Sequence, residues 1–480
     1  MSSEATLSGD PILRIAAKGD GVAASGAHHK GAVTGDTVLS DGQIERGPHY
    51  QAAPCQHFDQ CGGCALQNAD DDAFAQFVKE RVLFAANSQQ LEPREVLPTH
   101  LSPPRSRRRA TLHAMRTQKG AVLGFKASGS HKIVDIASCE IMRPEVFALV
   151  APLRKFVAKH GSKQPLDIEL TLCDQGVDCS IKNFAMEGLE ATEAILAFAQ
   201  DNGLARLSVD LGYGSEAMWE PDPVTITLSN LPVGFPSGAF LQATEDAQDL
   251  MVADAVKMLS GANHMADLFA GLGTFGFALS QYAQVSAFEA GRASYLACKS
   301  AAGRAQRPLE AMHRDLFRNP LDAKELADFD AILLDPPRAG AREQVSAIAE
   351  SALERVVYVS CNPASWARDA AKLAEAGFAL ECLRPVGQFR WSTHVEAIRA
   401  RAARHRNGLR PRNAGCVRLH YPNAEGIPAR CDLDQLAELW SRLGIYRGQR
   451  EFPEQGPFLS VQGQGFATVR APACQSSHRL

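Results

Sequence analysis

Two groups of residues in this 480-residue sequence could do chemistry that ordinary core packing does not require. The first centres on Cys361 in Val359-Ser-Cys-Asn-Pro363, where an apolar, strand-like stretch ends in a tight turn. A thiolate held there could add to carbon-6 of a uracil, making carbon-5 nucleophilic enough to attack a methyl donor. A base must then remove the carbon-5 proton, and Glu396 in Phe389-Arg-Trp-Ser-Thr-His-Val-Glu396 offers a carboxylate. The plain alternative for a lone cysteine is a small buried core residue; the strand-end position favours the nucleophile. The second group is Pro54-Cys-Gln-His-Phe-Asp-Gln-Cys-Gly-Gly-Cys-Ala-Leu-Gln67. Its C-x5-C-x2-C spacing lets Cys55, Cys61 and Cys64 converge, and the best fourth ligand is Cys139, in Ser138-Cys-Glu-Ile-Met142. Three close cysteines and one remote one suit an iron–sulfur cluster; zinc, which more often uses two separated C-x2-C knuckles, is the alternative. Cys173, Cys179, Cys298 and Cys382 show no ligand spacing and are expected in the core.

Positioning Cys361 requires a sheet, and the sequence predicts one. Met265 to Phe269 reads as a buried strand, followed by glycines at 271, 273 and 276 and then a helical segment. Such a turn cradles a nucleotide cofactor through Gly271, Gly273 and the N–H groups of the helix start, and suits a dinucleotide as well as S-adenosylmethionine. A second strand ends at Glu289, an acceptor for ribose hydroxyls. Further strand-like runs end at Asp315, Asp335 and Cys361, which predicts a parallel, doubly wound sheet with its ligands at the carboxyl ends of the strands. Helices are expected at 70–90, 190–201 and 245–259, with strands at 121–125, 166–172 and 224–228.

The rest of the chain sets bounds. A hydrophobic content of 45%, 22% charged residues and no apolar run near membrane-spanning length describe a globular protein, expected in the cytoplasm because Met1 to Asp10 has no secretory character. The net charge of −4 does not advertise nucleic-acid binding, but Pro103 to Arg116 carries five arginines and no acid. That run is either a phosphate-contacting edge or a solvated surface. Short strand-like pieces between glycine turns over residues 10–48 suggest a small β-barrel, with a loosely ordered leader as the alternative.

Taken in order, several motifs resemble the iron–sulfur-containing RNA (uracil-5-)-methyltransferases, ribosomal RNA branch, with transfer-RNA relatives. They are the three-cysteine loop with Cys139, Gly124-Phe-Lys with Ser130-His-Lys-Ile-Val-Asp135, Phe240-Leu-Gln242, Asp267-Leu-Phe-Ala-Gly-Leu-Gly, Leu334-Asp-Pro-Pro-Arg-Ala-Gly340, Val359-Ser-Cys-Asn-Pro363 and His394-Val-Glu396. The resemblance spans about residues 54–400. It implies an α/β chain with a Rossmann-like S-adenosylmethionine-dependent domain over 233–400, an α+β cluster- and RNA-binding domain over 49–232, and a small OB-like barrel over 1–48. The extension 401–480, arginine-rich at its start and with a helical piece at 433–443, receives no role. It further implies that Cys55, Cys61, Cys64 and Cys139 hold a four-iron–four-sulfur (4Fe-4S) cluster. Gln242, Phe269, Thr274, Glu289, Asp315 and Asp335 would line the S-adenosylmethionine site, with Cys361 as nucleophile and Glu396 as base. The expected partner is RNA, ribosomal before transfer RNA, and the expected state a monomer. Thr244 stands where the family has Asn, Arg390 where it has Pro, and the barrel is short around His28 to Asp36. Loss of catalysis, leaving an RNA-binding protein, is one alternative; amino-group methylation without a cysteine is another.

Overall fold

The computed structural model describes residues 9–184 and 188–402, together with three short strands at 418–420, 458–462 and 466–470. Residues Met1–Arg404 form one compact unit and His405–Leu480 a second. The predicted helix at 433–443 and most of the arginine-rich tail lie outside the described residues. In the second unit, Arg418–His420, Phe466–Arg470 and Phe458–Gln462 form a three-stranded antiparallel sheet.

A nine-stranded sheet organises the first unit. Its order is Leu309–His313, Gln284–Glu289, His264–Leu268, Ala331–Leu334, Arg355–Ser360, Glu396–Ala402, Ala379–Gly387 and Glu95–Val96, with His100–Leu101 also pairing Ala379–Gly387. The first five strands run parallel, as predicted. Central strands of such a sheet are covered on both faces, which is why all four residues of Ala331–Leu334 are buried and apolar. The prediction of an all-parallel sheet is corrected at one place. Glu396–Ala402 inserts antiparallel between Arg355–Ser360 and Ala379–Gly387, so the chain makes a hairpin-like return that strand-by-strand reading does not reveal.

A second sheet of six strands, Ser215–Trp219, Arg206–Asp210, Gly176–Lys182, Leu166–Cys173, Arg109–Thr117 and Gly120–Gly124, backs onto the helices Val150–His160 and Gly188–Asp201. The helix Asp71–Asn87 starts where Asp70 accepts the Ala73 N–H at 2.8 Å, and buries Phe74, Phe77, Val78 and Val82. At the N-terminus, five short strands lie in the order His28–His29, Gly21–Ala23, Asp10–Ile15, Thr37–Val38, Ile44–Glu45 around Ile12, Ala23, Ala32 and Val38. The ends of that order are not paired with each other, so a closed barrel is replaced by an open sheet. Strands of two or three residues offer too few ladder bonds to close one.

Candidate active site

The carboxyl ends of the parallel strands open into one cavity of about 530 Å³. Local sequence explains how each wall is built. At the turn after His264–Leu268, Phe269 adopts φ +64°, uncommon for a residue with a side chain, and its ring packs 5.3 Å from that of Phe317. Gly273 follows at φ +90°, where an added Cβ would stand 2.8 Å from Phe277 and 2.9 Å from Cys298 Sγ. A side chain there would collide with the two helices that carry Phe277 and Cys298, so the position demands glycine. Glu289 accepts the N–H groups of Gly271 at 2.9 Å and Gly291 at 2.5 Å, so it braces the glycine turn while lining the cavity. Asp315 accepts the Phe317 N–H at 3.0 Å.

The strand Arg355–Ser360 leads to the helix Pro363–Glu375 through Cys361 and Asn362. Asn362 caps that helix, accepting the Ala364 N–H at 3.2 Å, and Pro363 occupies the first turn. The Asn362 amide also donates to the Arg338 carbonyl at 2.9 Å, and its N–H to Ser360 Oγ at 3.1 Å. The turn carrying Cys361 is therefore pinned on both sides. Across from it, Ser360 pairs with Ala397 in the antiparallel ladder, so Cys361 and Glu396 both stand at the same end of that strand pair and line the cavity.

Nine of the ten residues expected at the nucleophile, base and cofactor sites line this cavity: Cys361, Glu396, Gln242, Phe269, Gly271, Thr274, Glu289, Asp315 and Asp335. Sequence reasoning assigned no role to Arg338, Phe317 and the exposed Phe240, which also line it, although Phe240 and Arg338 sit inside motifs already singled out. Nor did it find Gln388. This buried amide donates to Gln242 Oε1 at 2.8 Å and accepts the Ala243 N–H at 2.9 Å, while Gln242 donates to Asp335 at 3.4 Å.

The electrostatics favour neutral groups in the free protein. Burial, with Glu396 and Asp335 adding to it, pushes the Cys361 thiol up to about 11. Burial and the charge of Asp335 raise Glu396 to about 8, against a smaller pull from Gln388. Burial takes Asp335 to about 7 and Asp267 to about 7, the latter with help from Asp335 and Glu289.

The two departures at Thr244 and Arg390 meet at one place. Thr244 is buried, its hydroxyl 2.8 Å from Ser102 Oγ, and it does not line the cavity. Arg390 is also buried, donates to the Ser102 carbonyl at 3.0 Å, and pairs with Asp71. The arginine run divides likewise. Arg108 is buried against the Gln242 carbonyl and Gln248, and Arg105 pairs with Glu140 at 2.9 Å, so both are engaged within the protein.

The four candidate ligand cysteines line a separate small pocket with Phe58, Phe125 and Ile136. Gly62 lies against the neighbouring hairpin, where a Cβ would meet the Lys126 carbonyl at 2.7 Å, and its N–H donates to that carbonyl at 2.9 Å. Gln67 accepts the Cys55 N–H at 3.1 Å. Burial pushes Cys64 up to about 12 and raises Cys61 and Cys139 as well. Among the described residues no three His, Cys, Asp or Glu side chains are arranged to hold a single metal ion. Of the remaining cysteines, Cys173, Cys179 and Cys298 are in the core and Cys382 is half-buried.

Fold and cavity together define an S-adenosylmethionine-dependent methyltransferase. The solved transfer-RNA (uracil-54, C5)-methyltransferase of Pyrococcus abyssi, in complex with S-adenosyl-L-homocysteine, shares the fold with a TM-score of 0.62 over 82% of this chain and all of that one, at 18% identity. The family model for tRNA (uracil-5-)-methyltransferase matches residues 309–399. A Zymomonas mobilis relative, named an uncharacterized RNA methyltransferase, is 45% identical over 388 residues, covering 81% of this chain and 98% of the relative. RlmD of Chromohalobacter salexigens, a 23S rRNA (uracil(1939)-C(5))-methyltransferase, is 31% identical over 371 residues, covering 74% and 77%. The chain belongs to the RNA (uracil-5-)-methyltransferase family. No helix among the described residues is long and apolar enough to cross a membrane.

Proposed function

We propose that this enzyme methylates carbon-5 of a specific uridine in 23S ribosomal RNA, with Cys361 as nucleophile and Glu396 as base. The observation that carries the reading is that both groups reach one cavity: Cys361 follows the strand end at Ser360, Glu396 starts the antiparallel strand paired to it, and both side chains line the cavity. S-adenosylmethionine, held by Gln242, Phe269, Gly271, Thr274, Glu289, Asp315 and Asp335, supplies an electrophilic methyl group. The target uridine must leave its stack to reach the cavity. Cys361 ionises and bonds to carbon-6, and the electron pair of the carbon-5–carbon-6 double bond becomes available at carbon-5 for the methyl group. Glu396 then takes the carbon-5 proton, the double bond re-forms and the sulfur–carbon bond breaks. The Gln388–Gln242–Asp335 hydrogen-bond chain orients the polar wall between the two substrates.

Ribosomal RNA is favoured by the relative at 31% identity that is named for that substrate. Transfer RNA is the second reading, because the family model and the solved transfer-RNA enzyme carry that description. A trapping experiment tests both. Glu396→Gln protein is incubated with S-adenosylmethionine and unmodified ribosomal RNA, and a Cys361-dependent RNA–protein adduct surviving denaturation is expected. Wild-type methylation without any adduct from the variant would refute the covalent route or the base assignment. Adduct formation with transfer RNA alone would move the substrate.

We further infer that Cys55, Cys61, Cys64 and Cys139 hold a 4Fe-4S cluster. The donor set is four sulfurs, and each thiolate of such a cluster binds its own iron, so the sulfurs stand apart. A single tetrahedral zinc would instead draw all four sulfurs to about 4 Å from one another. Bound, the cluster would neutralise thiolates that burial otherwise disfavours. Methyl transfer needs no redox step, so its role is to fold the cysteine loop against the hairpin at Lys126. Iron and sulfide analysis of protein purified without air is expected to give about four of each per chain; stoichiometric zinc would overturn the assignment.

A further inference from the structure

Several arginines that bridge elements of the described chain are matched to carboxylates: Arg206 to Asp178 at 2.8 Å, Arg314 to Glu325 at 2.5 Å, and Arg384 to Asp254. Beside the candidate active site three are not. Arg338 Nη1 lies 3.4 Å from His394 Nε2. The Arg107 guanidinium sits over the Phe389 ring, 5.4 Å from its centroid, and that ring is 6.1 Å from the His394 imidazole. Arg81, on the helix Asp71–Asn87, has a buried Nε with no hydrogen-bond partner. Burial first, then the charges of Arg338, Arg107 and Arg81, hold His394 below the ordinary imidazole range, so all three cations are near enough to act on one ring.

None of the three has a carboxylate partner among the described residues, in a chain whose net charge is −4. Like charges gathered from three separate parts of the sequence repel one another; Glu396 and Asp335 belong to the neighbouring cavity wall, and the acidic groups that act on Arg107 are the Cys139 and Cys64 thiols. His394 itself is exposed and two residues from Glu396, with Nδ1 3.1 Å from Ser392 Oγ. Arg107 Nε donates to the Arg109 carbonyl at 2.8 Å, and no carboxylate pairs with any of the three guanidinium groups among the described residues.

We propose that Arg81, Arg107, Arg338 and His394 form a phosphate-binding site that grips the RNA backbone next to the flipped uridine. The assignment rests on RNA being the substrate. Guanidinium groups match phosphate oxygens in a two-point geometry, and Arg338 lines the cavity that holds Cys361, so a phosphate bound here lies beside the base that enters. The segment Arg390–His394 joins this site to the cysteine pocket, because the Trp391 carbonyl accepts the Ala65 and Leu66 N–H groups at 2.7 and 3.0 Å.

The test is the salt dependence of binding to unmodified 23S ribosomal RNA and transfer-RNA transcripts across a KCl series. Arg81→Gln and Arg107→Gln are each expected to weaken binding about ten-fold and to lower the log–log salt slope by about 1, with calorimetric affinity for S-adenosylhomocysteine unchanged. Arg81→Lys is expected to keep the slope. A second measurement uses wild-type protein alone: bound transcript should protect Arg107 and Arg338 from phenylglyoxal, read by peptide mass spectrometry. Wild type that binds RNA while both glutamine variants keep its affinity and slope, or while protection is absent, overturns the site. Wild type that binds neither transcript overturns the RNA reading itself.

Discussion

The methyl-transfer cavity and the cysteine pocket are built by opposite means. The cavity collects its polar groups from successive strand ends of one sheet, so hydrogen-bonded ladders determine where Glu289, Asp335, Cys361 and Glu396 stand. The cysteine pocket has no sheet of its own. Its loop hangs on isolated contacts: Gly62 to Lys126, Cys55 to Gln67, Ala65 and Leu66 to Trp391. A site on ladders should tolerate loss of any one functional side chain without losing its shape. A site on scattered loop contacts should depend on whatever fills its centre.

That contrast can be broken by mutation. The largest expected effect is Cys361→Ala, which should lower 5-methyluridine formation by about 10³-fold or more while leaving S-adenosylhomocysteine affinity and melting temperature near wild type. Activity retained within ten-fold would mean that the thiol is not the nucleophile and would favour a different methyl acceptor. Cys64→Ser or Cys139→Ser should instead abolish iron binding and lower the melting temperature by several degrees, with the same cofactor still bound in the cavity. Unchanged iron content would break the comparison at its second half. Glu289→Gln should weaken S-adenosylmethionine binding about ten-fold by calorimetry, because the Gly271 and Gly291 N–H groups lose a charged acceptor.

Two smaller effects sharpen the cavity's electrostatics. Glu396 near 8 and Cys361 near 11 in the free enzyme are both raised, so their active ionised forms grow as pH rises, and kcat/KM should climb from pH 7 to 9. A profile flat or falling over that range would place the essential ionisations elsewhere. Asp267 is buried, only the Gly276 N–H pulls it down, and its folded value, about 7, lies above the ordinary 3.8. A carboxyl raised in this way leaves stability intact below the unfolded value and erodes it as pH climbs through the folded one. Asp267→Asn should therefore raise the melting temperature at pH 8 by a few degrees, and do so less at pH 5. An equal gain at both would trace the effect to packing.

Much of this was legible because the relevant signals are local. The strand–glycine–helix turn at 265–276, the strand that ends in the tight turn at Cys361 and the strand that ends at Asp335 act through neighbouring residues, and each was found where periodicity and turn chemistry put it. At Gly273 the motif shows that a glycine is needed, and only the structure shows the close approach of Phe277 and Cys298 that requires it. Thr244 and Arg390 looked like two independent departures, yet both bond to Ser102, a residue with no motif of its own.

By itself, the sequence determined the family, the succession of strands whose ends carry polar groups, and the identity of the cysteines available as ligands, because these depend on residue type and short-range spacing. Tertiary structure decided the rest. The reversed strand Glu396–Ala402 brings Glu396 to the cavity that Cys361 lines, burial raises Glu396 and Cys361 together, and His394 comes to lie beside Arg338 and the Phe389 ring that Arg107 covers. Strand order and side-chain proximity across hundreds of residues follow from how the whole apolar surface packs, and no window of sequence holds that information.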